Sequence, residues 1–474
     1  MIFHSYINGI LVKGDEGESI IKNPGTEEAI AYVSMISAKQ ADDALKAAEE
    51  GFNYWSKLTQ KERESWILML YDNINIRKDE ILELLMNETG KLYKNAEEDF
   101  QMLLDCLVFY NKEAQAMEDE IIKNEEGSHH NIITREPVGV VLAYLAWNFP
   151  LLNLGYKLGP ALASGCSCVI KPSMTTPLAT LKIGEILNEI SFPKGVINII
   201  SGDVMKLSHI LNQSKIPSLI TLIGSTATGK KIVADSVTSI KRFSLELGGN
   251  APALVLKDYD PVLAAKTITT FKFENCGQVC VSPNRVFVHE NQYEQFVSVA
   301  RKIANCMKPG WGKEEGATIS PLMTAHARVR MLEVIEDALK KGATLISGGG
   351  IPNDKMKGYY LSPTILGNVT KDMRCYKEEI FGPIMPIIKY NDKDNLIDLG
   401  NDTEYGLTSY IFSNDIKEIH RISKGLETGT VCVNKPLYSV ELPHGGTKES
   451  GVGKDCSKLS LEEYYYIKRI SIEI

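Results

Sequence analysis

Apolar residues recur at helical spacing through residues 38–122, beginning just after Ser37, a residue type that favours the N-cap position. Upstream of this stretch, residues 5–10 form a short strand-like run that turns at Asn8-Gly9. Asparagine and glycine tolerate positive φ, so this pair favours a tight hairpin. The first part of the chain is therefore predicted to hold one hairpin followed by a mostly helical segment.

From residue 137 the pattern changes to short apolar runs that alternate with helical segments. The runs fall at residues 138–144, 168–170, 196–200, 219–223 and 253–256, with similar ones at 285–288 and 429–433. Such alternation predicts βαβ units and a parallel sheet, repeated in a second α/β domain over residues 250–430. Residues 464–472 predict a terminal strand whose open edge would seek a partner, which favours an oligomer.

The length of 474 residues allows roughly two to three domains, and 44 % apolar with 24 % charged residues are ordinary globular values. Basic residues are scattered and the net charge is -8, so nucleic acid is not expected as a partner. The most apolar region, residues 138–158, is interrupted by Asn148, Pro150 and Asn153. Such polar interruptions predict buried core and no membrane span.

The nine cysteines are odd in number, widely spaced and without the paired spacing of a zinc site. The first residues lack the basic start and long apolar stretch of an export signal. We therefore expect a cytoplasmic protein whose cysteines are mostly small core residues, with no metal site.

A glycine-containing turn at residues 222–231 places a strand, Gly224-Ser225-Thr226 and a helix start in order. Its amides could hold a phosphate, although Lys231 stands where a P-loop needs Ser or Thr, and for this motif alone a plain strand-to-helix turn is favoured. Lys171 follows another short strand, where a lysine could reach a ligand or remain a solvated surface residue.

Several other residues have both a chemical and a structural interpretation when each is considered alone. Cys280 could be a nucleophile or a small core residue, and Glu246 a general base or a solvated carboxylate. Asn148 could donate to an oxyanion or cap a helix. Glu379 and Phe381 could hold a sugar and a ring, or simply pack.

The order of these motifs along the chain is more specific than any one of them. The motifs are Trp147-Asn148-Phe149-Pro150, Lys171-Pro172-Ser173, Gly224-Ser225-Thr226, residues 245–249, Gly277-Gln278-Val279-Cys280, Asn284-Arg285 and Glu379-Ile380-Phe381-Gly382-Pro383. Together they span nearly the whole chain and resemble the aldehyde dehydrogenase superfamily, with semialdehyde- and aminoaldehyde-oxidising members the most similar.

The resemblance implies NAD(P)-dependent oxidation of an aldehyde to a carboxylic acid. Cys280 would attack the aldehyde carbon, with the Asn148 amide and the Cys280 backbone N–H stabilising the oxyanion. After hydride transfer to the nicotinamide, Glu246 would activate the water that hydrolyses the thioester. Lys157 and Asp455 match positions associated with passing the proton onward.

The same resemblance implies a set of cofactor-binding residues. These are Lys171 and Ser173 at the adenosine ribose, Gly224, Ser225, Thr226 and Gly229 around the pyrophosphate turn, Glu379 at the nicotinamide ribose, Phe381 beside the ring, and Trp147 with Leu247 along the path.

The fold implied is α/β, with a Rossmann-like cofactor domain, an α/β catalytic domain and a small β arm for oligomerisation. The expected boundaries are 1–116 and 138–248 for the cofactor domain, 249–455 for the catalytic domain, and 117–137 with 456–474 for the arm and terminal strand. A homodimer or homotetramer is expected.

Two departures from the family pattern bear on specificity. NAD-selective members often carry Glu three residues after the lysine, where this chain has Met174, so NADP or dual cofactor use is predicted. Similar succinate semialdehyde dehydrogenases carry arginines at the positions of Tyr156 and Glu274, which we expect to line the substrate channel. Their absence predicts a small polar aldehyde or semialdehyde and tolerance of a neutral or cationic tail.

Two alternatives stay open from the sequence. One is a dehydrogenase that resolves the thioester with coenzyme A, against which Glu246 argues. The other is a catalytically silent cofactor-binding protein of the same fold, because a fold alone does not establish activity. Cys276 could form a redox bridge with Cys280, although a packing role is favoured.

Overall fold

The computed structural model describes residues 1–355 and 357–474. The helices are α1 (Ala38–Trp55), α2 (Gln60–Ile76), α3 (Lys78–Thr89), α4 (Tyr93–Gln115), α5 (Pro150–Ser164), α6 (Leu178–Glu189), α7 (Val204–Gln213), α8 (Thr226–Asp235), α9 (Pro261–Phe273), α10 (Tyr293–Cys306), α11 (Ala325–Lys340), α12 (Arg374–Lys377), α13 (Leu396–Asn401), α14 (Ile416–Gly425) and α15 (Ser457–Glu463), with a 3-10 helix at Glu274–Gly277.

The strands are β1 (Ile2–Phe3), β2 (Ser5–Ile7), β3 (Ile10–Val12), β4 (Glu18–Lys22), β5 (Ala29–Ser34), β6 (Glu120–Lys123), β7 (His129–Pro137), β8 (Val140–Tyr144), β9 (Ser167–Lys171), β10 (Ile197–Ile199), β11 (Pro217–Ile223), β12 (Arg242–Glu246), β13 (Ala251–Val255), β14 (Pro283–His289), β15 (Thr344–Ser347), β16 (Thr364–Gly367), β17 (Ile384–Tyr390), β18 (Tyr405–Gly406), β19 (Thr408–Phe412), β20 (Thr430–Val433), β21 (Thr447–Lys448), β22 (Gly451–Val452) and β23 (Tyr465–Glu473).

Local sequence signals fix the first elements. Strands β2 and β3 pair around Asn8-Gly9, and both turn residues have positive φ, which confirms the hairpin. Ser37 caps α1 through a capping box with Gln40, as its position predicted. The helical prediction was wrong at its end, because the chain leaves α4 at Ala116 and β6 then pairs with β7.

Two large sheets carry the predicted α/β pattern. The first has the order β22-β12-β11-β8-β9-β10-β2-β3, and its central strands β12, β11, β8, β9 and β10 are parallel. The second has the order β15-β16-β17-β14-β13-β19-β20, parallel from β16 to β20. Each sheet is packed against helices in its own core of buried aliphatic and aromatic side chains.

A third sheet combines residues from the middle and the end of the chain. Strand β23 pairs antiparallel with β7 along nine residues, and β6 lies on the other side of β7. Eight of the nine residues of β23 are exposed. One edge of β23 is therefore hydrogen-bonded to β7. Its other edge has no neighbouring strand among the described residues.

The apolar region at residues 138–158 is core, as its polar interruptions predicted. All of β8, a central strand of the first sheet, and nearly all of α5 are buried. Among the described residues, no helix is both long enough and apolar enough to cross a bilayer.

The first sheet places functional side chains at one edge. Its parallel strands end at Tyr144, Lys171, Ile223 and Glu246, so the loops that follow them share one side of the sheet. In open α/β sheets, ligands bind in the crevice outside these carboxyl ends.

Candidate active site

A cavity of about 240 Å³ lies at the carboxyl edge of the first sheet and reaches the second sheet. Asn148 enters it from the loop after β8, and Glu246 from the end of β12. Cys280 enters from the loop before β14. The complete lining is Ala146, Trp147, Asn148, Ile223, Gly224, Ser225, Glu246, Leu247, Gly248, Cys280, Glu379 and Phe381.

A tight left-handed turn presents Cys280 to this cavity. Asn275, Cys276 and Gly277 all have positive φ, and a side chain at Gly277 would meet the backbone oxygen of Gly382 at 2.2 Å. Burial raises the pKa of the Cys280 thiol well above its usual range, and the neighbouring Glu246 carboxylate raises that pKa further. The thiol therefore needs a base to become a nucleophile.

Glu246 supplies a carboxylate close to the Cys280 thiol. It is the last residue of β12 and only 5 % exposed. One of its carboxylate oxygens and the Cys280 sulfur lie within 4.8 Å of each other. At this separation a carboxylate could act as a base on the thiol.

Asn148 is held beside the cysteine loop by amide contacts. Its Nδ2 donates to the Gln278 backbone oxygen at 3.2 Å, and Asn275 Nδ2 donates to the Asn148 backbone oxygen at 3.2 Å. Asn153 Nδ2 lies 3.5 Å from Asn148 Oδ1. These contacts orient a side-chain N–H donor on the cysteine side of the cavity, as an oxyanion hole requires.

The residues around α8 suit the pyrophosphate of a dinucleotide. Ser225 caps α8 by accepting from the Thr228 backbone N–H, and the first turn contains no acidic residue. Gly229 lacks a Cβ that would come within 2.8 Å of Leu247, so the helix packs close to the strand end. A ten-residue helix with free N-terminal amides favours an anion at this end.

The opposite wall of the cavity is aromatic and acidic. The Trp147 and Phe381 rings meet edge to face at 5.3 Å. Glu379 Oε1 accepts from the Gly249 backbone N–H at 2.8 Å, and burial raises the pKa of the Glu379 carboxyl to about 7. A flat ring with a carboxylate beside it matches the requirements of a nicotinamide and its ribose hydroxyls.

Lys171 ends β9 and Ser173 follows it at the same sheet edge, and neither residue lines the cavity. Burial lowers the pKa of the Lys171 amine to about 8. Ser173 Oγ lies 2.9 Å from Thr175 Oγ1, and Met174 Sδ lies 3.9 Å from Ser201 Oγ. Thr226 Oγ1 donates to the Glu449 backbone oxygen, so its side chain is engaged away from this edge.

Lys157 and Asp455 form a buried ion pair with an Nζ to Oδ1 distance of 2.5 Å. Burial raises the pKa of the Asp455 carboxyl, while Lys157 opposes that rise. Asp455 Oδ2 has no hydrogen-bond partner among the described residues. The ion pair brings together the two residues that the family resemblance associated with proton transfer.

The two residues expected to line the substrate channel lie apart. Tyr156 is buried on α5 with its ring 6.5 Å from the His444 ring. Glu274 lines a separate cavity of about 1120 Å³ with Tyr93 and Lys94. Burial and the nearby Glu98 raise the pKa of the Glu274 carboxyl. A role for Glu274 in reading the substrate's charge stays a prediction.

Sequence reasoning missed the approach of His444 to the catalytic residues. His444 Nε2 lies 3.3 Å from Glu246 Oε1, although the two residues are far apart in the chain. The sequence signal is weak, because it consists of a histidine that precedes the pair Gly445-Gly446. Cys276 and Cys280 are both free thiols in this structure.

The Asn284-Arg285 motif is structural. The buried Arg285 guanidinium donates to the backbone oxygens of Asn250, Leu399, Gly400 and Asp402, which ties the second sheet to the C-terminal end of α13. Asn284 Nδ2 reaches the Gly249 backbone oxygen at 3.4 Å. The motif thereby supports the Gly248-Gly249 turn from behind.

Comparison with known proteins agrees with this geometry. The sequence profile of the aldehyde dehydrogenase family matches residues 11–470. The mitochondrial succinate-semialdehyde dehydrogenase of Oryza sativa subsp. japonica is 38 % identical over 466 residues, covering 98 % of this chain and 88 % of that protein. The glutarate-semialdehyde dehydrogenase of Pseudomonas aeruginosa is 34 % identical over 470 residues, covering 99 % and 97 %.

Solved structures give the same result. A 3,6-anhydro-L-galactose dehydrogenase in complex with NADP has a TM-score of 0.96 and 32 % identity, and the match covers 100 % of both chains. The α/β fold with a cofactor sheet and a catalytic sheet is thereby confirmed. The chain belongs to the aldehyde dehydrogenase family and is an oxidoreductase that uses NAD or NADP to oxidise an aldehyde.

Proposed function

We propose that Cys280 is the nucleophile, Glu246 the general base and Asn148 the oxyanion donor of a hydrolytic aldehyde dehydrogenase. The observation that carries this assignment is that the Cys280 sulfur and a Glu246 carboxylate oxygen lie within 4.8 Å in a cavity that Asn148 also lines. Proximity of a nucleophile to its base is the arrangement that covalent catalysis requires.

The steps follow from these positions. Glu246 takes the Cys280 proton, the thiolate forms a bond to the aldehyde carbon, and the oxygen gains negative charge stabilised by the Asn148 amide and the Cys280 backbone N–H. Trp147, Glu379 and Phe381 would hold the nicotinamide and its ribose at this cavity, and the cofactor would supply the acceptor for the hydride that leaves the adduct carbon. Once Glu246 has passed on the proton from Cys280, it deprotonates a water molecule that attacks the thioester, and cleavage of the carbon–sulfur bond releases the carboxylic acid and the Cys280 thiolate.

The ion pair of Lys157 and Asp455 supports a proton path out of the site. Asp455 is electrostatically coupled to both Lys157 and Glu246. We assign the pair the role of accepting the protons that Glu246 releases, first before it activates water and again after hydrolysis.

We also assign the domain boundaries at residues 116, 138, 248 and 456. The division of the strands between the sheets supports these boundaries, with the exception of β22, which lies in the catalytic segment but joins the first sheet.

We assign the substrate to small polar aldehydes whose tail is not a carboxylate. The relatives named for succinate and glutarate semialdehydes act on anionic tails, whereas the 3,6-anhydro-L-galactose dehydrogenase is named for a sugar. Tyr156 and Glu274 stand where arginines would hold a carboxylate, and Lys157 is already paired with Asp455. Neutral hydrogen bonding at the tail therefore suits this site better than ion pairing.

Steady-state rates on matched short aldehydes test this assignment. We expect kcat/KM for hydroxy- or amino-substituted aldehydes to exceed that for the carboxy-substituted aldehyde by about tenfold or more, because a buried carboxylate without a cation loses about 1.5–3 kcal/mol. Tyr156→Arg should raise the rate on the carboxyaldehyde, and Tyr156→Phe is its matched control. A wild-type preference for the carboxyaldehyde contradicts the assignment, and so does lack of turnover on every aldehyde.

Cofactor choice is predicted to depend on Met174. Glutamate at this position would repel a 2′-phosphate, so Met174→Glu should lower the NADP/NAD ratio of kcat/KM by roughly 10- to 100-fold, whereas Met174→Gln should change it little. The pKa of about 8 for Lys171 adds a pH dependence: the cation is present below pH 8, and its loss at higher pH should weaken NADP more than NAD. A wild-type preference for NAD of about a hundredfold would contradict this view.

We assign the chain to a homodimer or homotetramer formed through the third sheet. Its outer strands expose Ile121, Ile122, Ile467, Ile470 and Ile472. Exposed isoleucines on uncovered strand edges favour pairing with a second copy. Light scattering on wild type and Ile470→Lys measures the oligomeric state, and a monomeric wild type would contradict the assignment.

The cytoplasmic location expected from the cysteines stays a prediction.

A further inference from the structure

Three side chains of different chemistry converge beside the cavity. One ligand atom each from Glu246, Cys280 and His444 lies within 4.8 Å of the other two. Glu246 ends β12, Cys280 follows the 3-10 helix, and His444 lies in the loop before β21. Because each belongs to a separate segment, the trio exists only in the folded chain.

The Glu246 carboxylate is incompletely satisfied within this trio. Glu246 Oε1 is buried and has no hydrogen-bond partner among the described residues, although His444 Nε2 approaches it to 3.3 Å. A buried acceptor without a donor is costly. A cation bound between these groups would satisfy it.

The His444 ring is held in place by its surroundings. His444 and Asp455 exchange backbone hydrogen bonds of 2.7 and 2.6 Å. The ring also packs between the rings of Tyr156 and Tyr438, at centroid distances of 6.5 and 5.9 Å. An imidazole held in this way keeps its Nε2 atom close to the Glu246 carboxylate and the Cys280 sulfur.

Thiolate, imidazole and carboxylate are the three donor types of zinc sites, and three protein ligands leave the fourth position of a tetrahedron for water. The sulfur donor disfavours magnesium and calcium, which prefer oxygen ligands. We propose that Glu246, Cys280 and His444 bind one Zn²⁺ ion and that this binding reversibly inhibits the enzyme. No metal site was expected from the sequence, because these three residues do not have the spacing of a zinc motif.

Inhibition follows from the bonds exchanged. The metal replaces the Cys280 proton, which leaves to solvent, and the sulfur lone pair that would attack the aldehyde forms the Zn–S bond instead. Glu246 is occupied at the same time, so it cannot activate water. No oxidation state changes, and removal of the ion by a chelator restores the thiol.

Competition between the full-length protein and a chelating indicator for Zn²⁺ tests the site. Loss of a direct ligand should cost at least as much as loss of a supporting contact, about 10- to 100-fold in affinity, so His444→Phe and His444→Gln should weaken binding by about 100-fold. His326→Phe alters an exposed histidine at the start of α11 and should leave the affinity unchanged. Equal affinity in wild type and both His444 variants would overturn the proposal.

Cobalt(II) gives a readout that is independent of turnover. Co²⁺ bound to a thiolate produces a near-ultraviolet charge-transfer band, which we expect in wild type and in Cys306→Ser, which lacks the exposed thiol. Cys280→Ala should abolish the band. A band that persists in Cys280→Ala but disappears in Cys306→Ser would place the metal elsewhere and overturn the proposal. Either result is independent of whether Cys280 is also the catalytic nucleophile.

Discussion

Cys280→Ala is expected to abolish aldehyde oxidation, with kcat falling by about 10⁴-fold or more, because no covalent adduct can form. The cavity wall changes only by the loss of one sulfur, so the affinity for NAD and NADP should remain close to that of wild type. Initial rates of cofactor reduction measure the first effect, and equilibrium titration of the cofactor measures the second.

Two other cysteines provide controls for that experiment. Cys306 is exposed and outside the Cys280 cavity, so Cys306→Ser should retain turnover. Cys276 is buried four residues upstream, and Cys276→Ala tests the redox bridge considered from the sequence. Substantial turnover by Cys280→Ala would remove the covalent mechanism and give weight to a different nucleophile.

Glu246→Gln is expected to slow the release of product by about 10²- to 10⁴-fold, since the amide keeps the shape of the side chain but cannot accept a proton from water. If hydrolysis is the step lost, one equivalent of reduced cofactor per active site should still appear in a rapid burst. Stopped-flow measurement of that burst, followed by the steady-state rate, separates the two phases.

The burst also separates the two duties assigned to Glu246. A slow burst would mean that Glu246 is needed to deprotonate Cys280, which the raised pKa of that thiol makes demanding. A rapid burst means that its main duty is hydrolysis. An unchanged steady-state rate in Glu246→Gln would contradict both duties. Formation of acyl-coenzyme A by wild type would instead support the acylating alternative.

Glu379→Gln is the matched control for charge at the same cavity. Glu379 accepts from the Gly249 backbone N–H and faces the aromatic wall, on the side we assign to the nicotinamide ribose. The substitution should therefore raise KM for the cofactor more than it lowers kcat. Similar kinetics in Glu246→Gln and Glu379→Gln would indicate a general electrostatic effect in place of specific base catalysis.

The sequence by itself determined the features that depend on local pattern. The Asn8-Gly9 hairpin, the Ser37 cap and the parallel strands each follow from backbone preferences within a few residues. The ordered motifs also led to most of the cavity lining, including Cys280 and Glu246. These residues could be found because the ordered motifs together resemble those of a known family, whereas each motif alone left a structural interpretation open.

Only the tertiary structure decided which distant side chains meet. Lys157 and Asp455 form their ion pair from α5 and a loop near the end of the chain, and His444 reaches Glu246 from another such loop. Glu274, six residues before Cys280, turns instead to a separate cavity. The physical reason is that hydrophobic period and turn chemistry act over short segments, whereas these contacts are set by how two sheets and their loops pack together.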